Sequence, residues 1–267
     1  MYYKKKSKAR ILIPIIVILA LISIAWFAYS VYMSRSTRNV LDMDTLELVQ
    51  LEDVKDGDPI CIIHTSEGDI SAVLYPEYAP ETVKNFTELA ESGYYDNTYI
   101  YNIVENTYFA AGSPNKSGAV DINKDSGNEE IPLEYSQNLW PFRGAIYSCT
   151  TKVEKGFFKT LLNQAERFGG SRFGVCNSIE MTDEVKKSLT SESSKEEIGK
   201  AFAEKGGIPN FSQQMTIFAQ TYDGFDVIDK ITSEITESET NYNGYYQPKD
   251  DLRILNIEIS EYKSENK

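Results

Sequence analysis

Few residues in this chain could do chemistry, and their spacing narrows the choices further. There is one histidine, His64, set between apolar residues of a β-rich run. A lone histidine in such a place more often packs and bonds locally than catalyses. The three cysteines, Cys61, Cys149 and Cys176, are odd in number and have no metal-ligand spacing, so no metal site is expected. A disulfide is allowed outside the cytoplasm, but no pair is singled out. Asp121-Ile122-Asn123-Lys124-Asp125-Ser126-Gly127 alternates oxygen ligands as calcium loops do. Its glycine falls one place late, and Pro132 stands where the closing glutamate belongs, so a solvated acidic loop is the expectation. Nothing here calls for a cofactor.

The elements that would position these residues are mostly strands. Ile60–Thr65 and Ile70–Tyr75 flank Ser66-Glu67-Gly68-Asp69, which reads as a hairpin. Pro80 opens a helix whose apolar face is Val83, Phe86, Leu89 and Ala90, and Gly93 stops it. Thr98–Val104 and Tyr108–Ala111 pair around Glu105-Asn106, and Gly144–Thr150, Phe173–Cys176 and Met215–Gln220 are further short strands. Phe225–Ile235 is a second helix with Val227, Ile228 and Ile231 inward. Leu252, Ile254, Ile257 and Ile259 mark a closing strand with one step out of strict alternation. This is a mainly β pattern, a closed or nearly closed barrel with helices over its ends. Two insertions on the barrel surface are expected near 151–168 and 178–207, each carrying a short amphipathic helix.

Ile11 to Met33 holds no charge. At 1.5 Å per residue its 23 residues can cross a hydrocarbon core of about 30 Å. Lys4, Lys5, Lys6, Lys8 and Arg10 precede it and hold the N-terminus in the cytoplasm, while Trp26, Phe27, Tyr29 and Tyr32 crowd the far end. A cleaved signal peptide ending at Ala28-Tyr29-Ser30 is the alternative, but its apolar core is usually shorter. The expected organisation is a basic tail (1–10), a transmembrane anchor (11–33), a linker (34–56) and an extracytoplasmic domain (57–263). Seven positive charges and no negative ones precede Asn39, so the −13 of the whole chain leaves −20 for residues 39–267. A domain that acidic does not bind nucleic acid by neutralising phosphates, and it is repelled by anionic surfaces.

Five segments, in order, resemble the cyclophilin-type peptidyl-prolyl isomerases. GDISAVLYPEYAPETVKNFTELAESGYYDNT at 68–98 is similar to the family's opening hairpin and first helix. AAGSP at 110–114, RGAIYSCT at 143–150 and GGSRFGV at 169–175 stand where the family has QGGDP-, RGxxSMAN- and GSQFFI-like strands. GGIPNFSQQMTIFAQTYDGFDVIDKI at 206–231 resembles a bacterial GGxPHLDG…GMDVVDKI segment. The resemblance implies a closed antiparallel eight-stranded barrel capped by two helices. It also implies extended or proline-containing segments of secreted proteins as partners.

The resemblance further implies a cleft in which a guanidinium sits beside a twisted X–Pro amide and apolar side chains grip the proline ring. Carried over residue by residue, it puts Asn102 at the arginine and Ala110 at the glutamine that orients it. Thr107, Tyr108 and Gly174 fall at pocket phenylalanine, methionine and phenylalanine positions. Cys149, Thr150, Phe211 and Met215 complete the cleft. Arg172 replaces a glutamine; it is either an exposed surface arginine or one whose guanidinium substitutes near Asn102. Three functions follow: a membrane-anchored isomerase of weak catalysis, an inactive peptide-binding or scaffold protein of the cell envelope, or a subunit of an envelope complex.

Overall fold

The computed structural model describes Ser23, Trp26, 41–42, 44–119, 131–153, 166–191, 196–237, 239–241 and 244–264. The expected anchor at 11–33, apart from Ser23 and Trp26, and the acidic loop at 121–127 lie outside these residues. Among the described residues no helix is long and apolar enough to cross a membrane. The chain divides into Met1–Asp44 and Thr45–Lys267, and the second unit holds the fold below.

Eight strands close a barrel. Strands β1 (Pro59–Thr65) and β2 (Gly68–Leu74) form the first hairpin, and β3 (Thr98–Val104) and β4 (Tyr108–Ser113) the second. With β6 (Ala145–Ser148), β9 (Phe173–Cys176), β10 (Ile217–Asp223) and β11 (Arg253–Glu261), the order around the barrel is β1-β11-β3-β4-β9-β6-β10-β2. Every pairing is antiparallel. The broken alternation in the last strand is a bulge: His64 faces Asn256 and Thr65 faces Ile254, leaving Leu255 with no partner on β1 and 44% exposed. Gly68 sits at φ +136°, and a Cβ there would meet Val227 at 2.8 Å. Glycine therefore lets the first hairpin touch the helix that covers it.

Helix α1 (Pro80–Glu91) plugs one end of the barrel with the face expected from its spacing. Phe86 lies 5.0–5.6 Å, ring to ring, from Tyr95, Phe173 and Phe218. Its cap comes from far along the chain. Ala79 has no capping side chain, and the Glu134 carboxylate instead accepts from Glu81 N at 3.0 Å, Thr82 N at 2.9 Å and the Thr82 hydroxyl at 2.7 Å.

The other parts depart from the sequence reading. Residues 178–207 carry two helices, α2 (Asp183–Thr190) and α3 (Glu196–Lys205), the second ending before Gly206 as expected. Helix α3 is not a surface ornament: Phe202 is 2% exposed, its ring 4.7 Å from Phe142 and 6.5 Å from Trp140. Helix α4 (Phe225–Thr232) buries Val227, Ile228 and Ile231 against the barrel and is shorter than expected. The ends of 151–168 are strands: β7 (Thr151–Val153) pairs with β8 (Glu166–Gly169), which pairs with β5 (Ile131–Pro132). Residues 154–165 lie outside the described part. Gln50, ahead of β1, is buried, donating to Trp140 O and Gln220 Oε1 at 2.9 Å each.

Candidate functional site

Residues directly opposite on adjacent strands share a face. Asn102 faces Ala110, Ala110 faces Gly174, Gly174 faces Tyr147, and Tyr147 faces Ile217. Their chain neighbours Ile103, Phe109, Val175 and Ile146 belong to the barrel interior. The row therefore runs across the outer surface of five strands. Three residues named from sequence, Asn102, Ala110 and Gly174, are thus brought into register.

Four more named residues lie in one apolar cluster around Tyr147 of this row. Tyr108, Cys149, Phe211 and Met215 pack, half-buried, against buried Tyr147, Cys176, Ile208 and Ile217. Three rings form a triangle, with centroids 5.4 Å apart for Tyr108–Phe211, 6.0 Å for Tyr147–Phe211 and 6.5 Å for Tyr108–Tyr147. A short turn, Pro209–Phe211, closed by Phe211 N on Ile208 O at 2.9 Å, carries the third ring.

Tyr147 was not named by the sequence reading, yet it organises the face. It is 5% exposed, and its ring lies over Gly174. A Cβ at position 174 would meet Cζ, Oη and Cε1 of that ring, the last at 2.7 Å. A ring from β6 thus occupies the space that a side chain on β9 would need. The available signal was the glycine itself, a strand residue with no side chain to pack.

Asn102 is buried and its carboxamide oxygen accepts from Tyr246 N at 2.9 Å. Ile103 N donates to Tyr246 O at the same distance, so the segment around Tyr246 is bound along β3 beside the row. Tyr101, an extra residue between the Ile100–Ala111 and Asn102–Ala110 pairs, is buried and stacks edge-on with Tyr245 at 5.0 Å.

Arg172 is buried, 7% exposed, which corrects the exposed alternative. Its Nη1 donates to Gly118 O at 2.9 Å and Tyr245 Oη at 3.0 Å, and its Nη2 to Thr151 Oγ1 at 2.7 Å. The guanidinium also lies 5.8 Å from the centre of the Tyr101 ring. These bonds tie a loop, a strand and the segment before β11 together, so the guanidinium is held by protein groups. Two named residues stand apart. The Thr107 hydroxyl donates to Glu105 O within its own turn, and Thr150 Oγ1 accepts from Arg167 at 3.3 Å.

The electrostatics offer no nucleophile. Burial pushes the Cys149 thiol up, only partly opposed by Arg172 and a hydrogen bond from Tyr101, and burial pushes Tyr147 well up. Both groups are neutral at pH 7. The three cysteines are free. His64 Nδ1 lies 2.8 Å from Asp69 Oδ1 across the first hairpin, far from this face. Two cavities of about 690 and 670 Å³ also lie off it, one beneath residues 50–54 and one between α3 and α4. What the face can do is bind: it presents half-buried Tyr108, Phe211 and Met215 around a filled centre.

Residues 60–259 match the family model described as cyclophilin type peptidyl-prolyl cis-trans isomerase/CLD. A Staphylococcus aureus (strain COL) protein named "Putative peptidyl-prolyl cis-trans isomerase" is 27% identical over 210 residues, which are 79% of this chain and 96% of that protein. A Streptococcus pyogenes serotype M6 protein named "Putative bifunctional phosphatase/peptidyl-prolyl cis-trans isomerase" is 29% identical over 216 residues, 80% of this chain. The chain spans 41% of that relative's length. The crystal structure of a Cryptosporidium parvum cyclophilin type peptidyl-prolyl cis-trans isomerase aligns with TM-score 0.51 and 18% identity, over 78% of this chain and 99% of that one. At that identity the likeness is one of fold.

Proposed function

The chain belongs to the cyclophilin-type peptidyl-prolyl cis-trans isomerase family, and from that premise we propose that it is a membrane-anchored, extracytoplasmic member that binds extended segments of secreted proteins and catalyses their isomerisation weakly. An X–Pro bond interconverts in tens to hundreds of seconds because rotation must break the partial double bond. A catalyst accelerates it by holding the twisted amide better than either planar form. In this family a guanidinium beside the amide is understood to do that.

The observation that carries the weak-catalysis reading is Asn102. It stands at the family's arginine position, and its carboxamide is bonded to the Tyr246 backbone. Arg172, the other candidate donor, is held by Gly118, Thr151 and Tyr245. Losing one preorganised donor typically costs a hundred- to a thousandfold in rate. The same observation favours a second reading, a peptide-binding scaffold of the envelope with no catalysis. The anchored, outside location is supported by the uncharged run at 11–33 behind five basic residues.

The test is an isomerisation assay on a proline peptide with the full chain and with Arg172→Ala. The expected wild-type rate is two to three orders of magnitude below that of a member carrying the arginine. Arg172→Ala is expected to lower stability, because it leaves buried acceptors unpaired, without lowering the rate. A wild-type rate matching ordinary members, or its loss in Arg172→Ala, defeats the reading. Protease shaving of intact cells tests the location, since an outer domain is digested and a cytoplasmic one is not.

A further inference from the structure

We infer that Tyr147 is the specificity-determining residue of this face, and that it disfavours a proline ring at the centre of the site, which adds to the weakness of catalysis, while leaving the rim open to extended segments with small side chains. This rests on the reading of the face as a peptide site and narrows it.

The centre of the face is built from residues that leave room. Ala110 and Gly174 lie side by side in the row, with Asn102 beyond them. Between two neighbouring strands, an alanine and a glycine would open a trough wide enough for a five-membered ring. That space is taken. The Tyr147 ring lies over Gly174 so closely that not even a Cβ fits there. The ring is also pinned: Phe211 and Tyr108 pack on it, and it is 5% exposed. A ring wedged by two others in a close-packed setting yields only at the cost of repacking.

The rim is different. Tyr108, Phe211 and Met215 are only partly buried, so they offer dispersion contact to a chain lying across them. An alanine or glycine facing the Tyr147 ring meets no obstacle, whereas a proline must displace it. The expected discrimination is that of a few methylene groups refused by an apolar pocket, about 10- to 200-fold.

The experiment compares two peptide amides, Ala-Ala-Pro-Phe and Ala-Ala-Ala-Phe, titrated into the full chain, wild type and Tyr147→Ala, with binding followed by NMR. The wild type is expected to bind the alanine peptide at least as tightly as the proline peptide. Tyr147→Ala is expected to reverse the order, with a gain of tenfold or more for proline. A wild-type preference for proline, or a folded Tyr147→Ala chain with unchanged preference, overturns the inference. If the wild type binds neither peptide, the peptide-site reading falls. The role of Tyr147 then stands if the variant takes up the proline peptide and falls if it does not. Should Tyr147→Ala fail to fold, as judged by amide dispersion, Tyr147→Leu, which keeps apolar contact but lacks the outer ring atoms, carries the same comparison.

Discussion

Gly174 and Tyr147 form one unit of packing spread over two strands, and neither can be changed alone without a fault. Gly174→Phe alone drives a ring into the Tyr147 ring, and overpacking of that kind costs about 1–3 kcal/mol. Tyr147→Ala alone leaves a hole among Phe211, Tyr108 and Ile217, at about 3–5 kcal/mol by analogy with other aromatic truncations. The double variant exchanges one ring for the other, so its loss should be at least 1 kcal/mol smaller than the sum of the two. Urea unfolding of the four chains measures this, and simple additivity would show that the two sites do not share the space. On the proposed function, raising the isomerase rate is expected to take Tyr147→Ala as well as Asn102→Arg, Ala110→Gln and Gly174→Phe, because the last change has nowhere to go without the first. Much of this face was legible in the chain. Matching motifs position by position named Asn102, Ala110 and Gly174, which lie in register, and Tyr108, Phe211 and Met215, which share one apolar cluster. Tyr147 escaped because a ring that fills a neighbouring strand's vacancy is visible only once the register of β6 against β9 is known. Arg172 escaped for a related reason: burial of an arginine depends on partners such as Gly118 and Tyr245, far away in sequence.

At the scale of elements, local pattern predicts well that a segment has a buried face and poorly what that face meets. The spacing in 196–205 marked α3 and its end at Gly206, but the helix looked like a surface addition because its partners, Trp140 and Phe142, lie some sixty residues upstream. At 151–168 the described ends pair as β7 and β8, while the apolar residues that fit a helical period, Phe157 to Ala165, lie outside the described residues. The cap of α1 was also out of local reach, since Glu134 supplies it from more than fifty residues away. If the docking of α3 is structural, Phe202→Ala should cost about 3–5 kcal/mol, as for other buried aromatics. Val185→Ala, a half-buried position on the mostly exposed α2, should cost about 1 kcal/mol. Urea midpoints compare the two; equal, small losses would mean that the insertion is attached to the barrel without supporting it.

For the molecule as a whole, the barrel was the most legible feature, because alternation in eight runs and two amphipathic helices admit few closed arrangements. Chemistry at this scale is set by what the barrel buries. Burial pushes the Cys61 thiol from 9.0 up to about 12, and Cys176 moves the same way for the same cause. Tyr95, Tyr101 and Tyr147 are likewise pushed well up by burial. In each case the folded state keeps the proton that the unfolded chain gives up. Their contribution is therefore intact below the unfolded values and is lost as pH rises above about 9, at about 1.4 kcal/mol per pH unit for each such thiol. Ionisation also adds negative charge to a stretch, residues 39–267, that already carries −20. Urea unfolding between pH 8 and 10.5 should show stability level at first and then falling steeply. Cys61→Ala should lower stability at pH 8, where it leaves a small hole in the core, yet fall less steeply above pH 9, by about 1.4 kcal/mol per pH unit. The curves of the two chains should thus converge as the solution becomes alkaline. Parallel curves would mean that the Cys61 thiolate is tolerated inside the barrel, and that the interior is wetter than its packing implies.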